Sequence, residues 1–246
     1  MILSIVLPGL LAAFAFIKNK LTIPAIVFAW LLGFIICYFG GYFAFSALVL
    51  TFVLTILSDK IKKGKGEKRN IYQIICNVLI PAISILLFKL TSNYNFYIIY
   101  YAVIGSSLAD TLASSIGLLS KGYIFNPLNF KKMEKGLSGA VSLLGFGASL
   151  LGGLILGIVY FIYDNNIKFL IFISFMSLLG SYIDSVFGIL LQGKYVCSVC
   201  NKTIDENKHC DKAAVLTKGY SFFDNNVVNF LNNFLIFIIS YIILMF

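Results

Sequence analysis

The feature that most limits what this chain can fold into is a succession of apolar runs, most of them about as long as a bilayer is thick. They lie at 2–17, 22–39, 41–58, 71–90, 96–119, 137–163, 168–191 and 225–246, with short polar breaks between them. A helix needs about 20 apolar residues to cross a hydrocarbon core of about 30 Å. Sixty per cent of the 246 residues are hydrophobic and mean hydropathy is +0.95, more apolar surface than a soluble domain of this size needs. The alternating strand pattern of an outer-membrane barrel is absent. The expectation is an all-α, polytopic transmembrane helix bundle of about eight spans. Residues 1–17 lack a basic leader and a small-residue cleavage site, so they read as a retained span. Gly40-Gly41, between the second and third runs, reads as a tight turn or a re-entrant bend. The chain divides into N-terminal spans at 1–58, a core of spans at 59–246, and within it a small cytoplasmic Cys/His loop at 192–222.

Loop charge sets the orientation. Lys18 and Lys20, the basic run 59–70, Lys121 with Lys131, Lys132 and Lys135, and the stretch 194–218 fall in alternate loops. The breaks at 40–41, 91–95 and 164–167 contain no Lys or Arg. By the positive-inside rule, the lysine-bearing loops are cytoplasmic and both termini extracytoplasmic, in a multi-pass protein of the cell membrane. The net charge of +9 then reflects loops held against anionic lipid and does not call for nucleic acid as a partner.

Two aspartates interrupt the apolar runs in matching contexts. One is Gly105-Ser106-Ser107-Leu108-Ala109-Asp110-Thr111; the other is Gly180-Ser181-Tyr182-Ile183-Asp184-Ser185. A carboxylate in a membrane helix costs about 2.5–3.5 kcal/mol on insertion scales and marks a functional site by default. With the orientation above, both acids lie in the cytoplasmic half of the membrane. Two neighbouring carboxylates repel unless a proton or a cation sits between them, and Mg²⁺ with substrate phosphates suits hard oxygen ligands. The competing readings are helix capping, or ion coupling in a transporter.

Further polar groups enter the same leaflet. Arg69, Gln73 and Asn77 recur every fourth residue at the start of the fourth run. They could grip phosphate and orient a ligand, or serve as an interfacial anchor and interhelical hydrogen bonds. Lys135-Gly136-Leu137-Ser138-Gly139-Ala140-Val141-Ser142 opens the sixth run. There the N–H groups of a helix start and Lys135 favour phosphate. Asp224-Asn225-Asn226-Val227-Val228-Asn229 opens the last run; Asp224 suits an N-cap, and Asn226 and Asn229 share a face. In the loop, Cys197-Ser198-Val199-Cys200 and then His209-Cys210 have the spacing of a structural Zn²⁺ knuckle, with Asp211 or water able to complete the shell. Solvated free thiols are the alternative.

From Arg69 onward these motifs together resemble one integral-membrane family, the one containing transmembrane protein 19 and plant phytyl-phosphate kinase, within a wider group of CTP-dependent lipid kinases. The resemblance rests on Arg69-x-x-x-Gln73-x-x-x-Asn77, Ala109-Asp110-Thr111-Leu112-Ala113-Ser114-x-Ile116-Gly117 and Gly139-x-Val141-Ser142-Leu143-Leu144-Gly145. It extends to Gly180-Ser181-x-x-Asp184-Ser185-x-x-Gly188-x-x-x-Gln192 and Asp224-Asn225-Asn226-Val227-Val228-Asn229. The glycine stretch departs from the usual Asn-Gly-Gly by reading Ser138-Gly139-Ala140. The first three spans match in hydropathy alone. The resemblance implies a phosphotransferase that converts an isoprenoid (prenyl or phytyl-type) monophosphate to the diphosphate, with CTP as donor. It implies Asp110 and Asp184 as catalytic residues holding Mg²⁺ and the nucleoside triphosphate. Arg69, Gln73, Asn77, Gly139 and Ser142 would position phosphates, beside Lys135 and Gly136 read above from the start of the sixth run, with Asp224, Asn226 and Asn229 completing the site. Partners are then the lipid phosphate, the nucleotide and the membrane, and a homo-oligomer is compatible with the chain. An ion- or proton-coupled transporter and a cytidylyltransferase forming a CDP-lipid are the alternatives.

Overall fold

The computed structural model describes residues 2–62 and 68–246. Part of the expected basic loop, residues 63–67, lies outside the described residues. The chain runs through α1 (Ile2–Ile17), α2 (Ile23–Asp59), α3 (Ile71–Thr91), α4 (Asn95–Gly117), α5 (Leu143–Asp164), α6 (Ile167–Leu190) and α7 (Asn225–Met245). Six of these, α2 to α7, are long and apolar enough to cross a membrane; α1 is a shorter apolar helix. The bundle is all-α. Short strands are confined to the two long loops: β1 (Ile124–Phe125) pairs with β2 (Val141–Ser142). After α6 come β3 (Lys194–Val196), β4 (Thr203–Ile204), β5 (Lys208–His209), β6 (Lys212–Ala213) and β7 (Val215–Lys218). They form a sheet ordered β4-β3-β7 and a β5-β6 hairpin.

The expected second and third runs form one element, α2, that doubles back. Its 37 residues would reach about 55 Å if straight. Yet both its ends converge on Arg69: Thr22 N donates to the Arg69 carbonyl (3.0 Å), and Arg69 Nη2 reaches Asp59 Oδ2 at the other end (3.1 Å). The reversal occurs at Gly41, whose φ of 80° and ψ of 175° are non-helical. A Cβ there would meet nothing within 4 Å, so glycine is required for its backbone conformation and not for space. A helix break strands carbonyls. Tyr97 Oη donates to the Gly40 carbonyl (3.2 Å) and Tyr100 Oη to that of Ala44 (2.7 Å).

These contacts define two ends of the bundle. One gathers the lysine-bearing loops: Lys20 to Thr22 against Arg69, Ser58 Oγ near Ser115 Oγ, and loop 118–142 against loop 191–224 through Ser138 and Asp205. The other gathers the Gly41 reversal, the start of α4 and the end of α7, where Asn95 Nδ2 donates to the Leu244 carbonyl (2.9 Å).

α4 is the central rod. Tyr97, Tyr100, Tyr101 and Leu108 are fully buried, and α4, α5 and α6 pack with little between their backbones. A Cβ on Gly152 would stand 2.8 Å from Ala109 Cα, and one on Gly153 2.7 Å from the Ser174 carbonyl oxygen. Small residues allow such approach where no hydrophobic force drives helices together. α7 adds buried amides: Asn233 donates to the Cys76 carbonyl (2.9 Å) and accepts from Ser107 Oγ (3.1 Å), while Asn232 donates to Ser106 Oγ (3.2 Å).

One expected boundary is wrong. The sixth apolar run starts at residue 137, but α5 begins at Leu143. Gly136 (φ 92°) and Gly139 (φ 82°) adopt left-handed conformations that no helix start uses, and Val141 and Ser142 pair with β1. Ser142 is the N-cap, its Oγ accepting from Gly145 N (3.1 Å).

Candidate functional site: an acid-lined cavity and a Cys/His cluster

A cavity of about 710 Å³ opens at the loop end, walled by the end of α2, by α3 to α7 and by loop 135–142. Its depth is set by helix geometry. Asp110 lies seven residues before the end of α4 and Asp184 six before the end of α6, or about 9–11 Å inside. The two carboxyl groups face each other within hydrogen-bonding reach. α7 supplies the flanking amide: Asn229, with its amide group oriented to satisfy both partners, donates to Asp184 Oδ2 (2.9 Å) and to the Asn225 carbonyl (3.3 Å). A carboxylate pair this close in a low-dielectric wall shares a proton or a cation. The neighbouring donors on the wall are hydroxyl and carbonyl oxygens of Thr111, Ser114, Ser181 and Ser185. An all-oxygen set with two carboxylates fits Mg²⁺ better than a softer metal.

The cationic side comes from Arg69 and Lys135, both on the cavity wall. Asp59 holds one guanidinium nitrogen, Nη2, at 3.1 and 3.3 Å. A guanidinium offers five N–H donors, so one carboxylate leaves the fork able to bind a second anion. Lys135 Nζ donates to the Ser120 carbonyl (2.9 Å), which ties the start of loop 118–142 to its glycine-rich end.

Every residue expected to bind nucleotide or phosphate lines this cavity except Asp224. Several also have structural tasks. Gln73 closes a capping box with Asn70: each side-chain oxygen accepts from the other's backbone N–H at 3.0 Å. Asn77 Nδ2 donates to the Gln73 carbonyl (2.8 Å). Gly139 rests on α6, where a Cβ would stand 2.6 Å from the Ser185 carbonyl oxygen. The expected phosphate cradle at a helix start is therefore a glycine loop followed by a self-capped helix. Asp224 N-caps α7, accepting from Val227 N (2.9 Å), and holds Asn226 Nδ2 at 3.2 Å.

The Cys/His loop forms a second constellation. Sγ of Cys197, Cys200 and Cys210 and a ring nitrogen of His209 lie within 4.8 Å of one another. Cys200 Sγ and Cys210 Sγ stand 3.4 and 3.1 Å from His209 Nδ1 and 4.0 Å from each other. A tetrahedral zinc with Zn–S of about 2.3 Å and Zn–N of about 2.0 Å puts S···S near 3.8 Å and S···N near 3.5 Å, close to the separations among Cys200, His209 and Cys210, with Cys197 Sγ completing the group. Asp211, the other candidate for the shell, is not in the cluster. Two local turns place the ligands. Backbone N–H groups of Cys200 and Val199 point at Cys197 Sγ and pull that thiol down to about 6. Cys210 (φ 52°) and Asp211 (φ 57°) are the two left-handed residues of the β5-β6 hairpin.

Residues 6–237 match the family described as Integral membrane protein DUF92. The chain belongs to that family. An uncharacterized membrane protein of Methanocaldococcus jannaschii, MJ0933, is 27% identical over 199 residues, 77% of this chain and 79% of its own length. Protein PGR of Arabidopsis thaliana is 26% identical over 269 aligned positions, covering 94% of this chain and 92% of its own. No solved structure matches. The family match reaches back to residue 6, so DUF92 includes the first spans, which the sequence motifs left out.

Two acids of this DUF92 chain escaped sequence reasoning. Asp59 and Glu206 line the cavity, but both adjoin lysine-rich polar stretches, where an acid carries little signal. A usable clue for Asp59 was its place as the last residue of an otherwise uncharged apolar run.

Proposed function

We propose that this DUF92 protein is a phosphotransferase that moves the γ-phosphoryl group of CTP onto an isoprenoid monophosphate at the cytoplasmic leaflet. The observation that carries the reading is the cavity itself. Paired carboxylates face each other about 10 Å inside the bundle, and a cationic rim of Arg69 and Lys135 shares the same wall. Phosphoryl transfer asks mainly for positioning and charge neutralisation, and this lining offers both. In the reaction, an oxygen of the lipid phosphate bonds to the γ-phosphorus while the bond to the β–γ bridging oxygen breaks. CDP and the lipid diphosphate leave. Asp110 and Asp184 would hold Mg²⁺, which supplies charge neutralisation on the transferring phosphoryl group. Asn229 fixes the Asp184 carboxylate, and Arg69 and Lys135 meet phosphate oxygens. The exposed apolar flanks of the bundle, such as Leu143, Phe146 and Tyr182 near the cavity, give an isoprenoid tail a path from the bilayer.

The reading includes eight crossings with the loop end cytoplasmic. Each arm of α2 is 18 or 19 residues, about 27–28 Å. Lys18, Lys20, Lys60, Lys121, Lys131, Lys132 and Lys135 sit at the loop end, against Lys89 and Lys168 at the other, the asymmetry that the positive-inside rule reads as cytoplasmic.

The test is purified protein with Mg²⁺, labelled CTP and geranylgeranyl phosphate. Lipid diphosphate with CDP supports the kinase. Pyrophosphate release would indicate a cytidylyltransferase instead. No nucleotide turnover with any prenyl acceptor would sink both and leave ion-coupled transport. Asp184→Asn is expected to lower turnover by at least about 100-fold while the protein stays folded.

A further inference from the structure

The Cys/His module meets the cavity wall at one peptide. Asp205 Oδ2 accepts from both Ser138 N (2.7 Å) and Ser138 Oγ (2.8 Å). Lys194 Nζ donates to the Ser138 carbonyl (2.8 Å) and ion-pairs with Asp205. All three polar groups of Ser138 are thus held by the module. On either side, Gly136 and Gly139 are in left-handed conformations, where glycine offers little resistance to leaving. The shape of this wall therefore depends on where Asp205 and Lys194 stand.

Their positions depend in turn on the four ligands. Asp205 lies midway between Cys200 and His209, and Lys194 begins the strand that ends one residue before Cys197. Lys194 is buried, and that burial lowers its pKa against the raising influence of Asp205. A buried ammonium holds its place only with its partners fixed. The segments that carry the ligands are two-residue and three-residue strands joined by tight turns. So small a unit cannot bury enough apolar surface to order itself and typically depends on a metal.

We propose that Cys197, Cys200, His209 and Cys210 bind one zinc-class cation, and that this ion holds the Asp205–Ser138–Lys194 clasp that shapes the glycine-rich wall of the membrane cavity. Bound metal joins both ends of the segment bearing Asp205 into one rigid turn. Without it, Asp205 is tethered only by short strands and loop 136–142 is released. Glu206, on the cavity wall beside Asp205, leaves with it.

The experiment uses full-length protein in detergent, with zinc content measured by elemental analysis and amide exchange followed over 136–142. About one zinc per chain is expected, removable by chelation and restored by Zn²⁺. Stripping should speed exchange over 136–142 at least about tenfold, and re-addition should reverse it. Asp205→Asn should keep its zinc yet exchange as fast as the stripped wild type. Absence of zinc after reconstitution with equimolar Zn²⁺ would overturn the proposal. So would exchange over 136–142 that is unchanged by stripping, or unchanged in Asp205→Asn. These readouts do not involve nucleotide, so their failure and a failure of phosphoryl transfer are separable.

Discussion

Gly139→Ala tests how the cavity wall is held against α6. Gly139 and Gly188 lie back to back: a Cβ on Gly188 would stand 2.9 Å from Gly139 N. A Cβ on Gly139 would meet Ile189 Cγ1 at 2.4 Å, the Ser185 carbonyl oxygen at 2.6 Å and Ile189 N at 3.0 Å. The isoleucine tip can turn aside, but the two backbone atoms belong to a packed helix and cannot. The loop must retreat by roughly 0.5–1 Å to restore ordinary contact, an overpacking penalty of about 1–3 kcal/mol. The left-handed φ of 82° adds about 1 kcal/mol once a Cβ is present. Together they predict a loss of about 2–4 kcal/mol, read by thermal or denaturant unfolding in detergent. On the proposed phosphotransferase function, nucleotide affinity should fall in the same variant, because the loop also lines the cavity beside Ser185. Stability and affinity both equal to wild type would refute the close approach of loop and helix.

The glycines of α5 divide by what surrounds them. Gly152→Ala should destabilise by about 1–3 kcal/mol, because its Cβ would stand 2.8 Å from Ala109 Cα on the neighbouring helix. Gly147→Ala, with nothing within 4 Å of its Cβ, should be neutral or stabilising by up to about 1 kcal/mol. Equal unfolding midpoints for the two would contradict the packing. Asn233→Ala removes a side chain that bonds both Cys76 and Ser107 and should lower unfolding free energy by about 1–2 kcal/mol. A change under about 0.3 kcal/mol would show that α3, α4 and α7 do not depend on that amide.

Asp110, Asp184 and Asn229 stood out in the sequence because a polar group in an apolar run is expensive, and Arg69 because it recurs with Gln73 and Asn77 every fourth residue. Their common depth followed from loop lysines, and the cavity gathers them. The Cys/His cluster was legible from spacing, since short separations leave few ways for four ligands to miss each other. What was hidden follows from context. Asp59 pairs with Arg69 ten residues further on, and its place at the end of an apolar run, the one local clue, does not identify that partner. Asp205 acts 67 residues away on Ser138, which no periodicity shows. The start of the sixth span is not legible in the sequence, because Gly-x-x-Gly ahead of an apolar run reads equally as a helix start or as a loop. The two positive φ angles decide for the loop, and they are set by the fit against α6.

The shielding of α4 has a consequence for how the chain is made. Among the six long helices it is the least apolar, and 78% of its most apolar stretch is buried within the protein. Much of that cover comes from α5, α6 and α7, which leave the ribosome later. At the moment of its synthesis α4 would present Asp110, its serines and its tyrosine hydroxyls to lipid with most of their eventual neighbours missing. Its entry into the bilayer is thus expected to be delayed until the following segments arrive. The central rod of the finished bundle would then be among the last helices to settle.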